Sequence, residues 1–312
     1  MRIFESPQWA RRFGLAPAKI NLGLAVVGRR SDGYHELESL FVPVECFDGL
    51  AVEVLAAETA ESDVALLLSG AVDSVPFGPS NLVWRAADAF LREAGFCARL
   101  RFHLDKRIPL EAGLGGGSSD AACALRLLNA LWPGRLEPRC LRELAFRLGA
   151  DVPFFLEPRP AWVRGVGEHL EAAADWPSLP LLLVCPAQRL RTAEVYRAFD
   201  RSGAALTLSG SGPSLADVFR RAVLTAGDRL HGDGFLHNDL EAVAAESCLE
   251  IRSLRQQLLA GGARAVGMSG SGPTLFGIFA DRAAAGRAQR RLVLAPGAWS
   301  QVTQTVPSPE EG

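Results

Sequence analysis

The sequence lacks the features that mark membrane, secreted and nucleic-acid-binding proteins. No apolar run approaches the ~18 residues that a membrane-spanning helix needs. The formal net charge is −2, so no excess of basic residues favours a polyanionic partner. The segment from Met1 to Gly14 carries three arginines but no apolar stretch, which argues against a secretory signal. These absences predict a soluble, cytoplasmic protein that has neither a membrane nor a nucleic acid as its partner.

The cysteines form no pattern typical of a metal site or of a disulfide framework. The chain has six of them, at positions 46, 97, 123, 140, 185 and 248, and no two are spaced as CxxC. A chain of 312 residues is long enough to bury a core without covalent cross-links. We therefore expect reduced, mostly buried thiols, as in a cytoplasmic protein.

Lysine is nearly absent from the chain. Of the 33 basic residues only Lys19 and Lys106 are lysines, and all the others are arginines. Lysine offers a compact ammonium group with a tunable pKa, whereas arginine offers a wide planar fork that stays charged. We therefore interpret both lysines as candidate functional residues. Chance retention in an arginine-rich chain is the alternative, and it stays open for Lys106.

A glycine-rich loop between a predicted strand and a predicted helix is the most informative feature that the chain does contain. Residues 100–105 alternate between apolar and polar side chains, and residues 121–132 place apolar side chains at helical spacing. Glycines in the loop between them let a ligand approach the backbone N–H groups. Ser118, Ser119 and Asp120 are expected to cap the helix, whose N-terminus favours an anion. The order predicts a phosphate-binding loop, and a plain turn is the alternative.

The loop matches neither of two common phosphate-binding motifs. A P-loop requires lysine after its last glycine, but here Ser118 follows Gly117. The glycine spacing of the dinucleotide-binding fingerprint, GxGxxG, does not match the sequence that starts at Gly113. No early βαβ unit surrounds the loop either. The longer run from Pro109 to Ser119 instead resembles the second signature of the GHMP kinases. That superfamily is named for galactokinase, homoserine kinase, mevalonate kinase and phosphomevalonate kinase.

Five further segments extend the resemblance from Ala16 to Phe279. Ala16–Leu22 resembles the first superfamily motif and Met268–Thr274 resembles the third. Asp32–Leu37, Leu148–Phe155 and Thr192–Tyr196 are similar to one branch of the superfamily. The members of that branch phosphorylate a cytidine diphosphate-linked methylerythritol in non-mevalonate isoprenoid biosynthesis. The resemblance therefore implies an ATP-dependent kinase that acts on a small-molecule alcohol.

Strands and helices mix without βαβ alternation, so the sequence predicts an α+β fold. We predict strands over 20–27, 41–44, 50–55, 181–185 and 275–279, and helices over 82–93, 141–148, 240–259 and 282–292. The resemblance implies an N-terminal ATP-binding domain over 1–160, similar to the second domain of ribosomal protein S5. It implies a ferredoxin-like C-terminal GHMP kinase domain over 161–300. Residues 301–312 are expected to form a disordered tail.

The resemblance assigns Lys19 and Asp151 as the catalytic pair. Phosphoryl transfer requires a held triphosphate, an oriented and deprotonated hydroxyl group, and neutralisation of the developing charge. Asp151 would accept the hydroxyl proton, and Lys19 would stabilise negative charge and keep Asp151 ionised. ATP and Mg²⁺ are the expected cofactors. The metal ligands stay unassigned, because the spacing of Ser118 and Asp120 does not identify coordination.

The resemblance also implies two sets of ligand-binding residues. The ATP set is Asn81, Lys106, Pro109, Leu110, Glu111, Ala112, Gly113, Leu114, Gly115, Gly116, Gly117, Ser118 and Ser119. The substrate set is Asn21, Tyr34, His35, Phe41, Val166, Thr192 and Tyr196. Tyr34 and Tyr196 are the only tyrosines in the chain, and the resemblance implies that they sandwich a cytosine ring while His35 reads its edge. The sequence does not predict an oligomeric state.

Several alternatives stay open at this point. Another GHMP kinase, of the homoserine or mevalonate type, would keep the fold but bind an acceptor without a base. A non-catalytic nucleotide-binding protein of the same fold is a third possibility. The Gly270–Gly272 loop could contact a ligand or form a plain turn. Its repeat at 209–213, within the divergent segment 202–214, is interpreted as a linker.

Overall fold

The computed structural model describes residues 10–71, 75–174, 176–203 and 236–308. Within these ranges the protein is an α+β structure with ten strands and seven α-helices. The chain divides into two compact units, each built from several segments. The first unit comprises Met1–Ala18, Cys46–Leu110 and Gly115–Pro158, and the second comprises Lys19–Glu45, Glu111–Leu114 and Arg159–Gly312.

Two long paired strands, β1 (Arg11–Arg29) and β2 (His35–Ala57), contribute residues to both units. In the first unit, β2 runs antiparallel to β4 (Ala98–Lys106), with Gly49 opposite Asp105. Strand β3 (Asp63–Gly70) lies parallel to β4. The predicted alternation along 100–105 is confirmed, because the three apolar side chains of this stretch are buried at 1% exposure or less. This strand leads directly into the glycine-rich loop.

Three α-helices complete the first unit, namely α1 (Leu82–Ala94), α2 (Gly116–Leu131) and α3 (Pro138–Leu148). The Asn81 side chain accepts a hydrogen bond from the Val83 N–H and caps α1. The predicted caps of α2 are wrong. Its N-cap is Gly115, in the left-handed region at φ 69°, so Ser118, Ser119 and Asp120 are the third to fifth residues of the helix itself. The left-handed turn, which favours glycine, starts this helix before the polar residues.

The second unit combines a hairpin on β2 with a four-stranded antiparallel sheet. Strand β5 (Ala161–Gly165) pairs with residues 37–41 of β2 and with β6 (His169–Ala172). The four-stranded sheet has the order β10-β7-β9-β8, and each pair is antiparallel. Its strands are β7 (Pro180–Cys185), β8 (Ala265–Met268), β9 (Leu275–Ile278) and β10 (Trp299–Gln304).

Four helices belong to the second unit, and several of their apolar residues share one buried core with this sheet. They are α4 (Thr192–Ser202), α5 (Glu241–Ser247), α6 (Glu250–Ala260) and α7 (Arg282–Gln289). The single helix predicted over 240–259 is wrong, because α5 ends before Cys248, whose extended backbone separates it from α6. Within this core, Leu182 and Val184 of the central strand β7 are fully buried.

Residues 301–308 correct the prediction of a disordered tail. Strand β10 continues to Gln304 along β7, and Thr303 and Thr305 are fully buried. The Thr305 hydroxyl donates to the Pro177 carbonyl at 3.0 Å and also accepts the Leu179 N–H at 2.8 Å, which fixes the chain after β10. The last predicted tail residues, 309–312, lie outside the described residues, as do 204–235, which include the repeat at 209–213 and most of 202–214.

The six cysteines are all free, and four of them are buried, as the sequence predicted. Burial raises the pKa of the Cys46 thiol to about 12, with Asp48 acting in the same direction. Burial also raises the pKa of the Cys123, Cys185 and Cys248 thiols. These groups therefore stay protonated near neutral pH. Across the described ranges, no helix combines the length and the apolar character that crossing a membrane would need.

Candidate active site

Lys19 lies on β1 in a buried polar cluster of the second unit. The whole residue is only 4% exposed. Its ammonium group donates to Asn21 Oδ1 at 2.5 Å and lies 4.5 Å from the centre of the Phe41 ring. A cation facing an aromatic ring is attracted by the ring quadrupole. Asn21 and Phe41, both predicted to bind substrate, therefore hold the Lys19 ammonium in this structure.

Asn21 connects Lys19 to two serines that the sequence analysis did not select. The Asn21 side-chain amide donates to Ser39 Oγ at 2.9 Å, and Ser39 Oγ donates to the Gly23 carbonyl at 2.6 Å. The Asn21 backbone N–H donates to Ser269 Oγ at 3.2 Å. Ser269 Oγ in turn donates to the Gly113 carbonyl at 2.9 Å. The cluster thus joins the first and third motifs to the middle of the glycine-rich loop.

Two glycines allow the backbone to come close to this cluster. Gly113 has φ +75°, and a Cβ there would lie 2.2 Å from the Ser269 carbonyl oxygen. Gly270 has φ +58°, and a Cβ there would lie 3.2 Å from Asn21 Oδ1 and 3.6 Å from Lys19 Nζ. A side chain at either position would therefore be strained and crowded. The Gly270–Gly272 loop lies beside Lys19, and both alternatives for it, a ligand contact and a plain turn, stay open.

Asn238 holds the same loop from the other side of the third motif. Its side-chain amide donates to the carbonyls of Met268 and Gly270, both at 2.8 Å. Its Oδ1 accepts the Leu240 N–H at 2.9 Å, so all of its polar side-chain atoms have partners. The neighbouring His237 carbonyl accepts the Leu24 N–H at 2.9 Å. The segment containing His237 and Asn238 thereby links β1 to the Gly270–Gly272 loop.

Asp151 belongs to the first unit. It lies half-buried in the turn between α3 and a short 3₁₀ helix, Pro153–Leu156. The Val152 N–H donates to the Gly149 carbonyl at 3.1 Å and closes this turn. A Cβ at Gly149 would lie 4.0 Å from Ser118 Oγ, so the turn passes next to the first turn of α2. The candidate base therefore lies close to the start of the glycine-loop helix.

The start of α2 has the geometry that an anion requires. The first hydrogen bond after the loop runs from the Ser119 N–H to the Gly115 carbonyl, at 2.9 Å. The N–H groups of the preceding residues have no carbonyl one turn earlier in the helix, as at every helix start. These amides and the helix dipole favour negative charge. The arrangement is compatible with the predicted phosphate loop.

Lys106 is buried between two carboxylates of the first unit. The exposed fractions of the Lys106, Asp48 and Asp120 side chains are 1%, 0% and 4%. The ammonium donates to Asp120 Oδ2 at 2.7 Å and to Asp48 Oδ2. Burial alone would lower the pKa of Lys106, but attraction by Asp120 and Asp48 outweighs it and raises that pKa. Burial raises the pKa of Asp120 to about 7, although Lys106 opposes the shift.

The Asn81 side chain forms hydrogen bonds with residues close to it in the sequence. Its Oδ1 accepts the Val83 N–H at 2.8 Å, and its amide group donates to the Pro76 carbonyl at 2.9 Å. The residue is buried at 6% exposure. A contact between Asn81 and ATP therefore stays a prediction. What the structure does assign to this residue is the start of α1.

The residues predicted to hold cytosine are arranged differently from a tyrosine sandwich. Tyr196 stacks on His35, with 4.8 Å between ring centres and 22° between ring planes. The His35 Nε2 atom lies 2.7 Å from Asp200 Oδ1. Tyr34 is 66% exposed, next in sequence to His35. The structure thus brings together His35 and Tyr196, with Asp200 as a partner that the sequence analysis missed.

The two remaining predicted substrate residues lie at other places in the second unit. Val166 is half-buried in the turn between β5 and β6, and its N–H donates to Glu168 Oε2 at 2.6 Å. The Thr192 hydroxyl, at the start of α4, lies 2.9 Å from the Ser271 hydroxyl. Thr192 therefore contacts the third motif. Val166 has no such link in the described hydrogen bonds.

The metal ligands stay unassigned. No group of three or more His, Cys, Asp or Glu side chains is arranged to hold a metal ion anywhere in the described ranges. Asp120, one of the two residues considered for this role, accepts a hydrogen bond from Lys106 through Oδ2. Its Oδ1 is buried without a hydrogen-bond partner, as is Ser119 Oγ.

Comparisons with known proteins identify relatives that cover most of the chain. The family described as GHMP kinases N terminal domain matches residues 81–157, and GHMP kinases C terminal matches residues 222–297. A 4-diphosphocytidyl-2-C-methyl-D-erythritol kinase of Pelotomaculum thermopropionicum is 42% identical over 86% of this chain and 88% of its own. A relative of the same name from Rhizobium etli is 41% identical over 93% of this chain and 94% of its own.

Solved structures support the same grouping. A crystal structure of 4-(cytidine 5′-diphospho)-2C-methyl-D-erythritol kinase has a TM-score of 0.74 and 38% identity, covering 95% of this chain and 100% of its own. Homoserine kinase from Cytophaga hutchinsonii has a TM-score of 0.69 at 17% identity, covering 98% of each chain. At that identity, the second likeness concerns the fold alone.

Proposed function

The chain belongs to the GHMP kinase family, and on that premise we propose that it transfers the γ-phosphoryl group of ATP to the 2-hydroxyl group of 4-diphosphocytidyl-2-C-methyl-D-erythritol. Curated relatives with about 40% identity over most of the chain carry the name of this kinase. The reaction would serve isoprenoid precursor biosynthesis by the non-mevalonate route. Its products would be ADP and the 2-phosphorylated alcohol.

The observation that carries the proposal is the fixed, buried ammonium group of Lys19. Asn21 and Phe41 hold it, and the Gly270 backbone lies beside it, where an added Cβ would be 3.6 Å from Lys19 Nζ. A positive charge held in this way is suited to stabilise the charge that develops on a transferring phosphoryl group, because it needs no reorganisation during the reaction. Water is largely excluded from the group, which strengthens its electrostatic effect.

Asp151 is the proposed general base. It would accept the proton of the acceptor hydroxyl group as that oxygen attacks the γ-phosphorus atom. Its turn lies beside the first turn of α2, which supports this role if the phosphates bind at the start of that helix. ATP would enter with Mg²⁺, which neutralises phosphate charge and is usually bound by the phosphates and one or two protein oxygens.

The cytidylyl group of the acceptor is proposed to bind near His35, Tyr34 and Tyr196. Aromatic rings provide stacking surfaces for a base, and one stacking contact contributes about 1–3 kcal/mol. In this structure His35 covers a face of Tyr196. A cytosine ring would stack either on the exposed Tyr34 ring or in place of the His35 contact.

The test is an ADP-release assay with the purified protein, ATP and Mg²⁺, run on three acceptors in parallel. The acceptors are 4-diphosphocytidyl-2-C-methyl-D-erythritol, homoserine and mevalonate. We expect turnover with the first acceptor alone, because the other two have no base for the aromatic residues to hold. Turnover with homoserine or mevalonate instead would keep the kinase chemistry and overturn the proposed acceptor. No turnover with any acceptor, despite nucleotide binding, would favour a non-catalytic binding protein.

A further inference from the structure

The buried pair of carboxylates around Lys106 connects the two ends of the glycine-rich loop. Asp48 Oδ1 accepts the N–H groups of Arg107 at 2.6 Å and Ile108 at 2.9 Å, and these are the residues that enter the loop. Asp48 Oδ2 accepts the Lys106 ammonium. The same ammonium donates to Asp120, the fifth residue of α2, just after the chain leaves the loop. We call Asp48, Lys106 and Asp120 the charged triad.

Lys106 of the charged triad lies next to Gly116, the first residue of α2. A Cβ at Gly116 would lie 3.3 Å from Lys106 Nζ and 3.0 Å from the Ile108 Cγ2 atom. The first residue of the helix therefore packs on the end of β4 with no room to spare. The Lys106 ammonium therefore lies next to the backbone at the start of α2.

The Lys106 ammonium is poorly placed to bind a ligand itself. Its side chain is 1% exposed, and two of its three N–H donors already reach carboxylates. The compact ammonium group of lysine fits between two close carboxylates, whereas the planar fork of arginine is wider. This requirement gives a physical reason for a lysine at position 106 in a chain that uses arginine almost everywhere else.

We propose that Asp48, Lys106 and Asp120 are positioning residues for nucleotide binding, and that Lys106 acts through the loop backbone without contacting the nucleotide. The charged triad fixes the end of β4 and the N-terminal part of α2 relative to each other. It thereby sets the direction of the amide groups that receive the phosphates. The inference rests on the proposed function only in that the loop binds ATP.

The test is a double-mutant cycle on ADP affinity, measured by isothermal titration calorimetry with the full chain. The variants are Asp48→Asn, Lys106→Met and the double variant. If the triad acts as one positioning unit, each single change weakens ADP binding by about tenfold or more, because misplaced groups bind poorly. The double change then weakens binding no more than the stronger single change, since the unit is already broken. CDP affinity, which we propose depends on His35, Tyr34 and Tyr196, is expected to stay within about twofold in every variant.

A direct contact between Lys106 and the nucleotide predicts a different pattern. Lys106→Met would then weaken ADP binding while Asp48→Asn would leave it unchanged or tighter, and this result would overturn the proposal. If Lys106→Met does not fold, Asp48→Asn is compared with the double variant, in which the Asp48 and Lys106 charges are both removed. Equal losses support positioning, and an additional loss in the double variant overturns it.

The control variant is Glu93→Gln, which makes the same carboxylate-to-amide change in the same unit. Glu93 pairs with Arg147 at the surface, at 2.6 Å, and has no contact with the charged triad among the described interactions. We expect its ADP affinity to match that of the wild type. If the proposed function is wrong, the wild-type protein will not bind ADP, and the triad then has no positioning role in nucleotide binding. Failure of the positioning role alone would leave wild-type binding intact and appear only in the cycle.

Discussion

At the scale of single residues, Asp120 is a buried carboxyl group that ionises near neutral pH. Burial raises its pKa from 3.8 to about 7 in the folded protein. Between these two values the folded state binds more protons than the unfolded state, so stability falls as pH rises. The contribution of this group is fully present below pH 3.8 and is lost once the pH passes about 7.

Asp120→Asn should remove this pH dependence. An amide oxygen can still accept the Lys106 hydrogen bond, but it carries no charge to desolvate. The free energy of unfolding of the variant, relative to wild type, should rise from about pH 4 to about pH 7 by up to about 1.4 kcal/mol per pH unit. Urea unfolding across this range measures the difference.

The control for this prediction is Asp88→Asn, which makes the same change at an ion pair with Arg92 on α1. Its stability relative to wild type should stay flat from about pH 5 upwards, because an exposed pair contributes little. A flat profile for Asp120→Asn as well would contradict the account of the buried carboxyl group.

Gly270 is the residue whose replacement should separate activity from stability. Gly270→Ala adds a methyl group near Asn21 Oδ1 and Lys19 Nζ at a backbone φ of +58°. We expect kcat to fall by about tenfold or more, because the loop or Asn21, which accepts a hydrogen bond from the Lys19 ammonium, must move. Steady-state kinetics with saturating ATP and acceptor measure this effect.

The matched control is Gly262→Ala, at φ +93° with open space around the added Cβ. Both changes should destabilise the protein by about 1 kcal/mol, since both force alanine into the left-handed region. Only Gly270→Ala should lower kcat. A similar loss of kcat in both variants would assign the effect to backbone strain rather than to crowding at Lys19.

At the scale of elements, Asn238 shows how one side chain can fix a functional loop. Asn238→Ala removes both hydrogen bonds to the Met268 and Gly270 carbonyls. We expect kcat to fall by about tenfold or more while the KM for ATP changes little, because the loop lies at Lys19. The measurement is the split between kcat and KM, compared with thermal stability.

Gln257→Ala provides the comparison for that variant. The Gln257 side-chain amide also binds backbone groups: it donates to the Val293 carbonyl and accepts the Val293 N–H. Unlike Asn238, it does so in an exposed region. Its loss should cost similar stability and leave kcat unchanged. Equal kinetic losses in the two variants would argue against a specific role for Asn238.

The elements around the site could be predicted from the sequence to different extents. The order of strand, glycine-rich loop and helix was predictable, because alternation along 100–105 and helical spacing after Ala121 are local signals. The exact start of α2 was not predictable, because its N-cap is Gly115 in a left-handed conformation and no polar side chain marks that position. The sequence predicts one helix in place of α5 and α6, because the apolar pattern continues across Cys248.

At the scale of the whole molecule, the site depends on contacts between residues far apart in the chain. Lys106 and Asp48 are 58 positions apart, and Asn21 and Ser269 are 248 apart. No local pattern selects Asp48, Ser39 or Asn238, so sequence reasoning missed them. The two compact units also interleave along the chain, which a division at residue 160 does not describe. That division into family domains stays a prediction.

The most direct measurement of the central claim is the kcat of Asp151→Asn, determined together with the affinities for ADP and for 4-diphosphocytidyl-2-C-methyl-D-erythritol. The account predicts a fall in kcat of about 100- to 10,000-fold, because a general base contributes in this range. Both affinities should stay within about twofold of wild type, since the amide keeps the shape of the carboxylate. A kcat close to that of wild type would contradict the assignment of Asp151 as the general base of the reaction.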